Sequence, residues 1–408
     1  MNLATLSASY MRARPLQTAL SLGLLALGVG TIVAALLVVS QLEERMGRDA
    51  RGIDLVVGAK GSPMQLILSG IYHLDAPTGN MPLEAAQSIS RNRLVKRAIP
   101  LALGDSWRGF RIVGAPPEYA QLYGAKLRAG NYYGGVMETV LGSEVAARTG
   151  AGVGAHFNGA HGVGGEGEEH ANAPYTVVGI LEKTGSVIDR LVLTGIESVW
   201  HVHENAHGQN AHGQPGAEEK AEEDEDEDRE VTVLLIQYAS PLAVATLPRA
   251  INSESELQAA SPAFETARLF RIVGAGVEAL RAFAVVLILA AGLSVFIALY
   301  TALEERRYDL AVMRTLGASP GRLFGLLLFE GLLLSLIGAL LGFVLGHAFA
   351  GGLGIWLEAA QQPSVSGLAF KAEEVWVLAA ALVVGGLAAL IPAWRAYRTD
   401  VSRTLAQG

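Results

Sequence analysis

Between Leu16 and Ser40 the chain runs for 25 residues without a charged side chain. At 1.5 Å per residue, a helix of that length crosses the roughly 30 Å of hydrocarbon in a bilayer. A cleavable signal peptide would carry an apolar region of only about 7–15 residues closed by a small-residue cleavage site. The stretch therefore reads as a retained anchor. Three further apolar runs follow, Phe283–Leu303, Leu323–Ala350 and Val375–Pro392, the last flanked by Trp376 and Trp394 as interfacial anchors. Mean hydropathy is +0.34, and charged residues make up 17% of the chain, against roughly 25% in soluble domains. The expected fold is a membrane protein of four transmembrane α-helices.

The segments between the spans fix an expected orientation. Lys and Arg gather in the N-terminus (Arg12, Arg14), in the loop 304–322 (Arg306, Arg307, Arg314, Arg322) and in the tail (Arg395, Arg398, Arg403). The short loop on the other side carries only Lys371. Both termini and the 304–322 loop are then cytoplasmic, and the large segment after the first span lies outside. The expected division is 1–15 cytoplasmic, 16–40 first span, 41–265 external α+β domain, 266–303 stalk and second span, and 304–319 a cytoplasmic helix. It continues with 320–350 third span, 351–374 external loop, 375–394 fourth span and 395–408 tail.

Within 41–265, strand-like runs at Ile53–Val57, Phe110–Val113, Thr176–Leu181, Leu191–Leu193 and Val231–Gln237 alternate with helical pieces at Pro117–Tyr123, Ser143–Arg148 and Pro241–Asn252. That alternation predicts one or two small α+β subdomains. Two stretches, 150–173 and 201–230, are rich in Gly, His or acidic residues and read as loops of low order inserted between strands. The net charge of −8 is confined to the second: residues 218–230 hold ten acids and two bases, and the rest of the chain balances. An acidic chain disfavours nucleic acid as a partner. With no cysteine there is neither a disulfide nor thiolate chemistry.

The charged island Glu304–Pro320 separates the second and third spans. Glu304, Glu305, Arg306, Arg307, Asp309 and Arg314 are ionic, while Leu310, Met313 and Leu316 recur at three-residue spacing, which predicts an amphipathic helix with one apolar stripe. Gly317 stands where a helix ends on a left-handed residue, and Ser319-Pro320 supplies a cap and a first-turn proline for the next helix.

This island, Glu-Glu-Arg-Arg-x-Asp-Leu-Ala-Val-Met-Arg-Thr-Leu-Gly-Ala, resembles the signature of FtsX-like permeases, the type VII membrane subunits of ATP-driven systems such as macrolide exporters and lipoprotein-release complexes. Val140-Leu-Gly-Ser-Glu-Val-Ala and Tyr175-Thr-Val-Val-Gly-Ile-Leu-Glu-Lys-Thr-Gly-Ser resemble that family's periplasmic core domain. Asp54-Leu-Val-Val-Gly-Ala-Lys-Gly-Ser-Pro and Asp75-Ala-Pro-Thr-Gly-Asn resemble a less-described branch. The resemblance implies a dimer of permeases in a bacterial inner membrane, bound to two copies of an ABC ATP-binding subunit. Closure of the ATPases would be relayed mechanically to the external domains, with Glu304–Leu316 as the coupling helix and Gly317 as its stop. It also leaves room for a periplasmic binding or lipoprotein partner. The chain itself is then no enzyme, with ATP and Mg held by the partner.

The residues carry no nucleotide site of their own. Gly58-Ala-Lys-Gly-Ser lacks the Gly-x4-Gly-Lys-Ser/Thr spacing whose backbone amides cradle phosphate. Nor is there a nucleophile–base pairing for a membrane enzyme. Glu330 falls about 15 Å into the bilayer, where an ionisable group is costly and functional by default. The structural alternative, favoured because no second buried charge offers itself, is a protonated carboxyl on Ser294, Thr301 or Ser335. His347 lies about 40 Å along the same helix and reads as an interfacial histidine. Seven of nine histidines fall in the two inserted stretches. Of these, His161, His170, His201, His203, His207 and His212, with carboxylates nearby, suit loose capture of zinc or another transition metal, although no spacing matches a closed site. The expected function is thus a permease subunit, linked in one reading to metal handling. The alternative is a regulatory module that controls an external partner.

Overall fold

Hydrocarbon offers a backbone N–H no partner outside its own helix, so each apolar run has to be helical across its whole length. The computed structural model describes residues 12, 14–162, 173–208, 229–359, 362 and 364–398. These fall into two units, residues 44–271 on one side and residues 1–43 with 272–408 on the other. In chain order, α1 (Pro15–Asp49) precedes β1 (Leu55–Ala59), α2 (Pro63–Gly70), β2 (Met81–Pro82), α3 (Leu83–Ser90), β3 (Val95–Trp107) and β4 (Phe110–Gly114). Next come α4 (Glu118–Leu122), β5 (Leu127–Gly130), β6 (Glu138–Leu141), α5 (Ser143–Thr149), β7 (His156–Phe157), β8 (Ala160–His161) and β9 (Tyr175–Leu181). A 3₁₀ turn at Val187–Arg190 leads to β10 (Val192–Thr194), α6 (Ile196–Gly208), β11 (Glu230–Val231), β12 (Val233–Tyr238), α7 (Leu242–Glu254) and β13 (Leu257–Ala260). The chain ends with α8 (Pro262–Glu305), α9 (Arg307–Thr315), α10 (Pro320–Ala359) and α11 (Glu373–Tyr397).

In the unit of residues 44–271 the main sheet runs β13-β1-β12-β3-β4-β10-β6-β9-β5. The long β3 organises it. Its first half pairs antiparallel with β12, Leu101 opposite Val233, and its second half with β4, Ala102 opposite Gly114. The pairs β4–β10 and β6–β9 are parallel. One core gathers Leu55, Val57, Met81, Leu234, Ile236 and Leu247; a second gathers Phe110, Ile112, Leu141, Tyr175, Val177 and Val192. The inserted stretches hold more regular structure than their composition implies. The first contains β7 and β8, which pair with β9 and β3, and α6 runs into the second as far as Gly208. Ladder hydrogen bonds to long neighbouring strands impose order that local sequence does not specify.

Among the described residues, α1, α8, α10 and α11 are long and apolar enough to cross a membrane, and the mixed α/β domain lies between the first and second of them. Three of the helices overrun their apolar stretches: α1 to Asp49, α8 from Pro262 and α10 to Ala359. Polarity ends a membrane span but not a helix, and Gln41–Asp49 contains no proline to stop it. The bundle closes on glycines. A Cβ on Gly338 would stand 2.7 Å from a Leu25 methyl, and one on Gly342 would stand 2.7 Å from both the Ala26 carbonyl oxygen and Val29 Cβ. One on Gly346 would stand 2.8 Å from Val33. This glycine every fourth residue lays α10 directly against the backbone of α1. Gly331 and Gly385 do the same between α10 and α11, against Ala389 and Ser335.

Two predictions follow from this packing. Gly342→Val forces α1 and α10 apart, an overpacking cost of about 1–3 kcal/mol. Thermal unfolding in detergent shows it as a lowered midpoint; an unchanged midpoint means the two helices do not meet there. The second concerns His73, which is buried, with Nε2 2.9 Å from the Tyr119 hydroxyl and Nδ1 unpartnered. Burial, with Arg111 and Arg190 nearby, drives its pKa well below the usual histidine value, so it is neutral when folded. The unfolded chain takes up a proton near pH ~6.5, so stability from this group is present above that pH and lost on acidification, by up to about 1.4 kcal/mol per pH unit. As pH falls from about 7.5 to about 5 this group lowers the unfolding temperature, against the opposite pull of Asp49, whose carboxyl burial raises to about 6, and His73→Gln removes the lowering. An identical slope in the variant removes His73 as the cause.

Candidate functional site: the charged segment between the second and third spans

The charged island is broken where a continuous helix is expected. Helix α8 stops at Glu305, Arg306 takes φ −102°, ψ 11°, and α9 restarts at Arg307. Nine residues later the helix ends at Thr315, and Gly317 with φ +98° turns the chain into α10. That left-handed conformation is strained for any side chain, so glycine belongs there.

The apolar side of α9 is Leu310 and Ala311, with Met313 partly covered; Leu310 joins a cluster with Leu303, Leu323, Leu327, Ala393 and Ala396. Leu316 departs from the expected stripe. It lies one residue past the helix, is 82% exposed, and takes no part in that cluster. Tyr308 is 53% exposed and Arg307 and Thr315 are also open, while Arg314 is half-buried. Positions seven apart lie on one helix face, so Arg307 and Arg314, and beside them Tyr308 and Thr315, make one outward surface.

The ionic residues of the island divide by burial. Arg307 and Glu304 form an exposed pair at 3.2 Å, of the kind that contributes little to stability. Glu305 pairs with Arg14 of the N-terminal segment, and Arg14 Nη1 also donates to Thr301 Oγ1 at 3.2 Å. The Asp309 side chain lies outside the description. Arg306 turns inward. Its Nη1 is 4.0 Å from Glu330 Oε2, with side-chain exposures of 16% and 6%. The two line a small cavity with Arg14, Gln17, Ser21, Leu299 and Leu334.

This corrects the expectation that Glu330 has no buried charge near it. The hydroxyls expected to hold it are engaged elsewhere: Ser294 with Ser21 at 2.7 Å, Thr301 with Arg14, and Ser335 with the Gly331 carbonyl at 2.9 Å. The partner went unseen because it belongs to the segment assigned to water, 24 positions earlier in sequence. Arg14, counted only as a topology charge, was likewise missed.

Of the seven clustered histidines, two have described side chains. His156 Nδ1 sits 3.0 Å from Thr176 Oγ1, and His201 is exposed on α6. His161 is described through its strand backbone and His203 and His207 through their helix backbone, their side chains lying outside the description; His170 and His212 lie outside the described residues. Among the described residues no three His, Asp or Glu side chains are placed to hold a metal ion. Gly58-Ala-Lys-Gly-Ser closes β1 and opens α2, where Ser62 accepts from the Gln65 amide. The Asp75–Asn80 segment folds onto it through Gln65 Nε2 to Ala76 O at 3.1 Å and Thr78 Oγ1 to Ala59 O at 3.0 Å.

Four spans, a mixed α/β domain inserted after the first, and a short helix stopped by Gly317 between the second and third define a class of membrane permease. The sequence profile of the MacB-like periplasmic core domain matches residues 18–254, and that of the FtsX-like permease C-terminal region matches residues 281–401. The chain belongs to this family: it is an ABC-transporter permease of the FtsX/MacB type, a bacterial membrane protein of a group that works with ABC ATPase partners. Solved structures similar to it include the periplasmic region of MacB from Actinobacillus actinomycetemcomitans, 11% identical over 54% of this chain and 95% of that one, TM-score 0.33. Another is the extracellular domain of the noncanonic ABC-type transporter YknZ from Gram-positive bacteria, 12% identical over 51% and 98%, TM-score 0.29. Among curated proteins none matches.

Removing one member of a buried ion pair strands the other, at a cost of about 3–5 kcal/mol, whereas replacing both with apolar residues is close to neutral. Arg306→Leu takes the neighbouring cation from the buried Glu330 carboxylate and is expected to lower the unfolding midpoint strongly, and adding Glu330→Leu to recover most of the loss. A double-mutant cycle in detergent reads this directly; additive losses would mean that the two charges are not coupled.

Proposed function

We propose that this permease passes force from a separate ATPase to its external domain, with both termini and α9 in the cytoplasm and α9 as the docking element. The observation that carries the reading is the division of α9 into two faces. Leu310 and Ala311 are sunk in the bundle, while Arg307, Tyr308, Thr315 and Leu316 stand open beside each other. An exposed Tyr next to an exposed Arg is the composition of an interface anchor. Movement imposed on α9 has two routes into the bundle: the Leu310 cluster and the buried Arg306–Glu330 contact at the helix break. On the far side, α8 follows β13 after a single residue, Ser261, so the domain's last strand feeds directly into the helix that ends at α9. Two ATPase copies and a second permease copy complete the assembly in this reading, with ATP hydrolysed outside this chain.

The test is co-purification with the cognate ATPase and assay of its ATP hydrolysis. Arg307→Ala combined with Leu316→Ala removes exposed groups, so the unfolding midpoint is expected to stay within about 0.5 kcal/mol of the parent, while complex recovery and permease-dependent hydrolysis fall at least tenfold. Undiminished assembly and hydrolysis would remove α9 as the docking element.

A further inference from the structure

The two membrane helices that meet the α/β domain are attached to it differently. α8 follows β13 after one residue, whereas residues 50–54 separate α1 from β1. The end of α1 is held by hydrogen bonds from the side. Asp49, its last residue, is 7% exposed. Its Oδ1 accepts from the Val187 amide at 2.8 Å, where the 3₁₀ turn begins. Its carbonyl oxygen accepts from the Tyr123 hydroxyl at 2.9 Å, just past α4. The turn is itself held, since the Asp189 carboxylate accepts from the Thr184 amide at 2.8 Å and the Gly185 amide at 2.7 Å. Val187 and Ile188 are buried, and the turn leads after Leu191 into β10, an inner strand of the sheet.

A second contact joins α1 to α8. Tyr72 is buried two residues past α2. Its hydroxyl lies 3.0 Å from Thr266 Oγ1, near the start of α8, and 3.4 Å from the Met46 carbonyl oxygen, in the last turn of α1. A hydroxyl has one hydrogen and two lone pairs, so donating to Met46 leaves it able to accept from Thr266. One side chain thus bridges the two helices.

Apolar contact is non-directional, and a helix held by it alone can slide or turn about its axis. A hydrogen bond fixes both distance and angle. Bonds to two elements at Asp49, and a third at Met46, therefore set the position and the rotation of the α1 terminus together. Burying a carboxylate and a hydroxyl costs free energy unless each is bonded, so plain packing does not call for them here.

We propose, resting on the force-passing function, that Asp49 and Tyr72 form the joint through which movement of α1 and α8 is handed to the α/β domain. With the joint made, the ends of the two helices move together and carry the Val187–Arg190 turn and β10 with them. With it broken, only residues 50–54, Ser261 and apolar contact tie the domain to the helices, and their motion is not handed on.

The chain has no cysteine, and Ser88 on α3 and Leu368 between α10 and α11 are exposed, so each accepts a spin label as cysteine. The full chain is assembled with its cognate ATPase in lipid nanodiscs. Double electron–electron resonance then measures the distance between like labels on the two permease copies, with and without ATP. Leu368→Cys reports the bundle and Ser88→Cys the domain; both distances are expected to shift on ATP in the parent. Tyr72→Phe keeps the ring and removes both hydroxyl contacts, and Asp49→Ala removes the acceptor for the Val187 amide. In each, complex recovery, ATP hydrolysis and the Leu368 shift are expected to persist while the Ser88 shift is lost. Asp49→Asn still offers an oxygen to Val187 and is expected to restore the Ser88 shift. Variants that shift at Ser88 as the parent does overturn the joint and leave force passing in place. A parent that shifts at Leu368 and not at Ser88 overturns force passing, and the joint with it.

Discussion

Helices inside a bilayer gain nothing from hiding apolar surface, since lipid tails are as apolar as leucine; they associate only as far as their backbones can approach. In this protein that constraint settles on Gly338, Gly342 and Gly346, one turn apart on α10, which receive Leu25, Val29 and Val33 of α1. Gly331 and Gly385 set the distance to α11 in the same manner. Because the middle of the bundle is fixed by contact at van der Waals distance, its polar interactions are free to sit at the ends.

The polar contacts follow that rule. One end carries Arg306–Glu330, Arg14–Glu305 and Ser21–Ser294; the other carries His347–Glu374 and the two-way grip of Gln41 on Ser366. Each ties the end of one helix to another helix or to its connecting loop. A pair that bridges two elements with long side chains also has two states, made and broken, which a packed glycine seam does not have. Any switching in the bundle is therefore concentrated at its ends, where the chain emerges toward water.

How much of this was legible depended on range. The four spans and the α/β domain between the first two could be read because the thickness of hydrocarbon sets a length and the strands set a period, both local properties. The strand β3, which joins the two halves of the sheet, was not read. Its sequence carries Lys96, Arg97, Pro100, Gly104 and Asp105, residues poor in strand propensity, and its pairing with β12 and β4 overrides them. In the charged island the helix and its Gly317 stop were readable from spacing, but the break at Arg306 was not, since nothing local marks it and the carboxylate near its guanidinium stands 24 residues later. The partners of His347 were hidden for the same reason: they stand 20 and 27 positions downstream. A charged or ring side chain near a span reads as interfacial until its long-range partner is known.

The break at Arg306 also explains why the island is so rich in both signs of charge. A helix of 44 residues that simply continued would carry its polar end straight out of the bundle. Two helix termini meet within one residue, and Arg306, with no side-chain cap of its own, joins them, its amide donating to the Ala302 carbonyl and its carbonyl accepting from the Leu310 amide. Drawing its guanidinium inward to Glu330 spends a buried carboxylate to hold that bend, while Glu304 and Arg307 on either side stay outside and pair with each other. A bend maintained by one long-range ion pair and one local apolar cluster is easily displaced from outside compared with a bend built into proline. That is the physical property an element must have if its angle is to be altered by a partner.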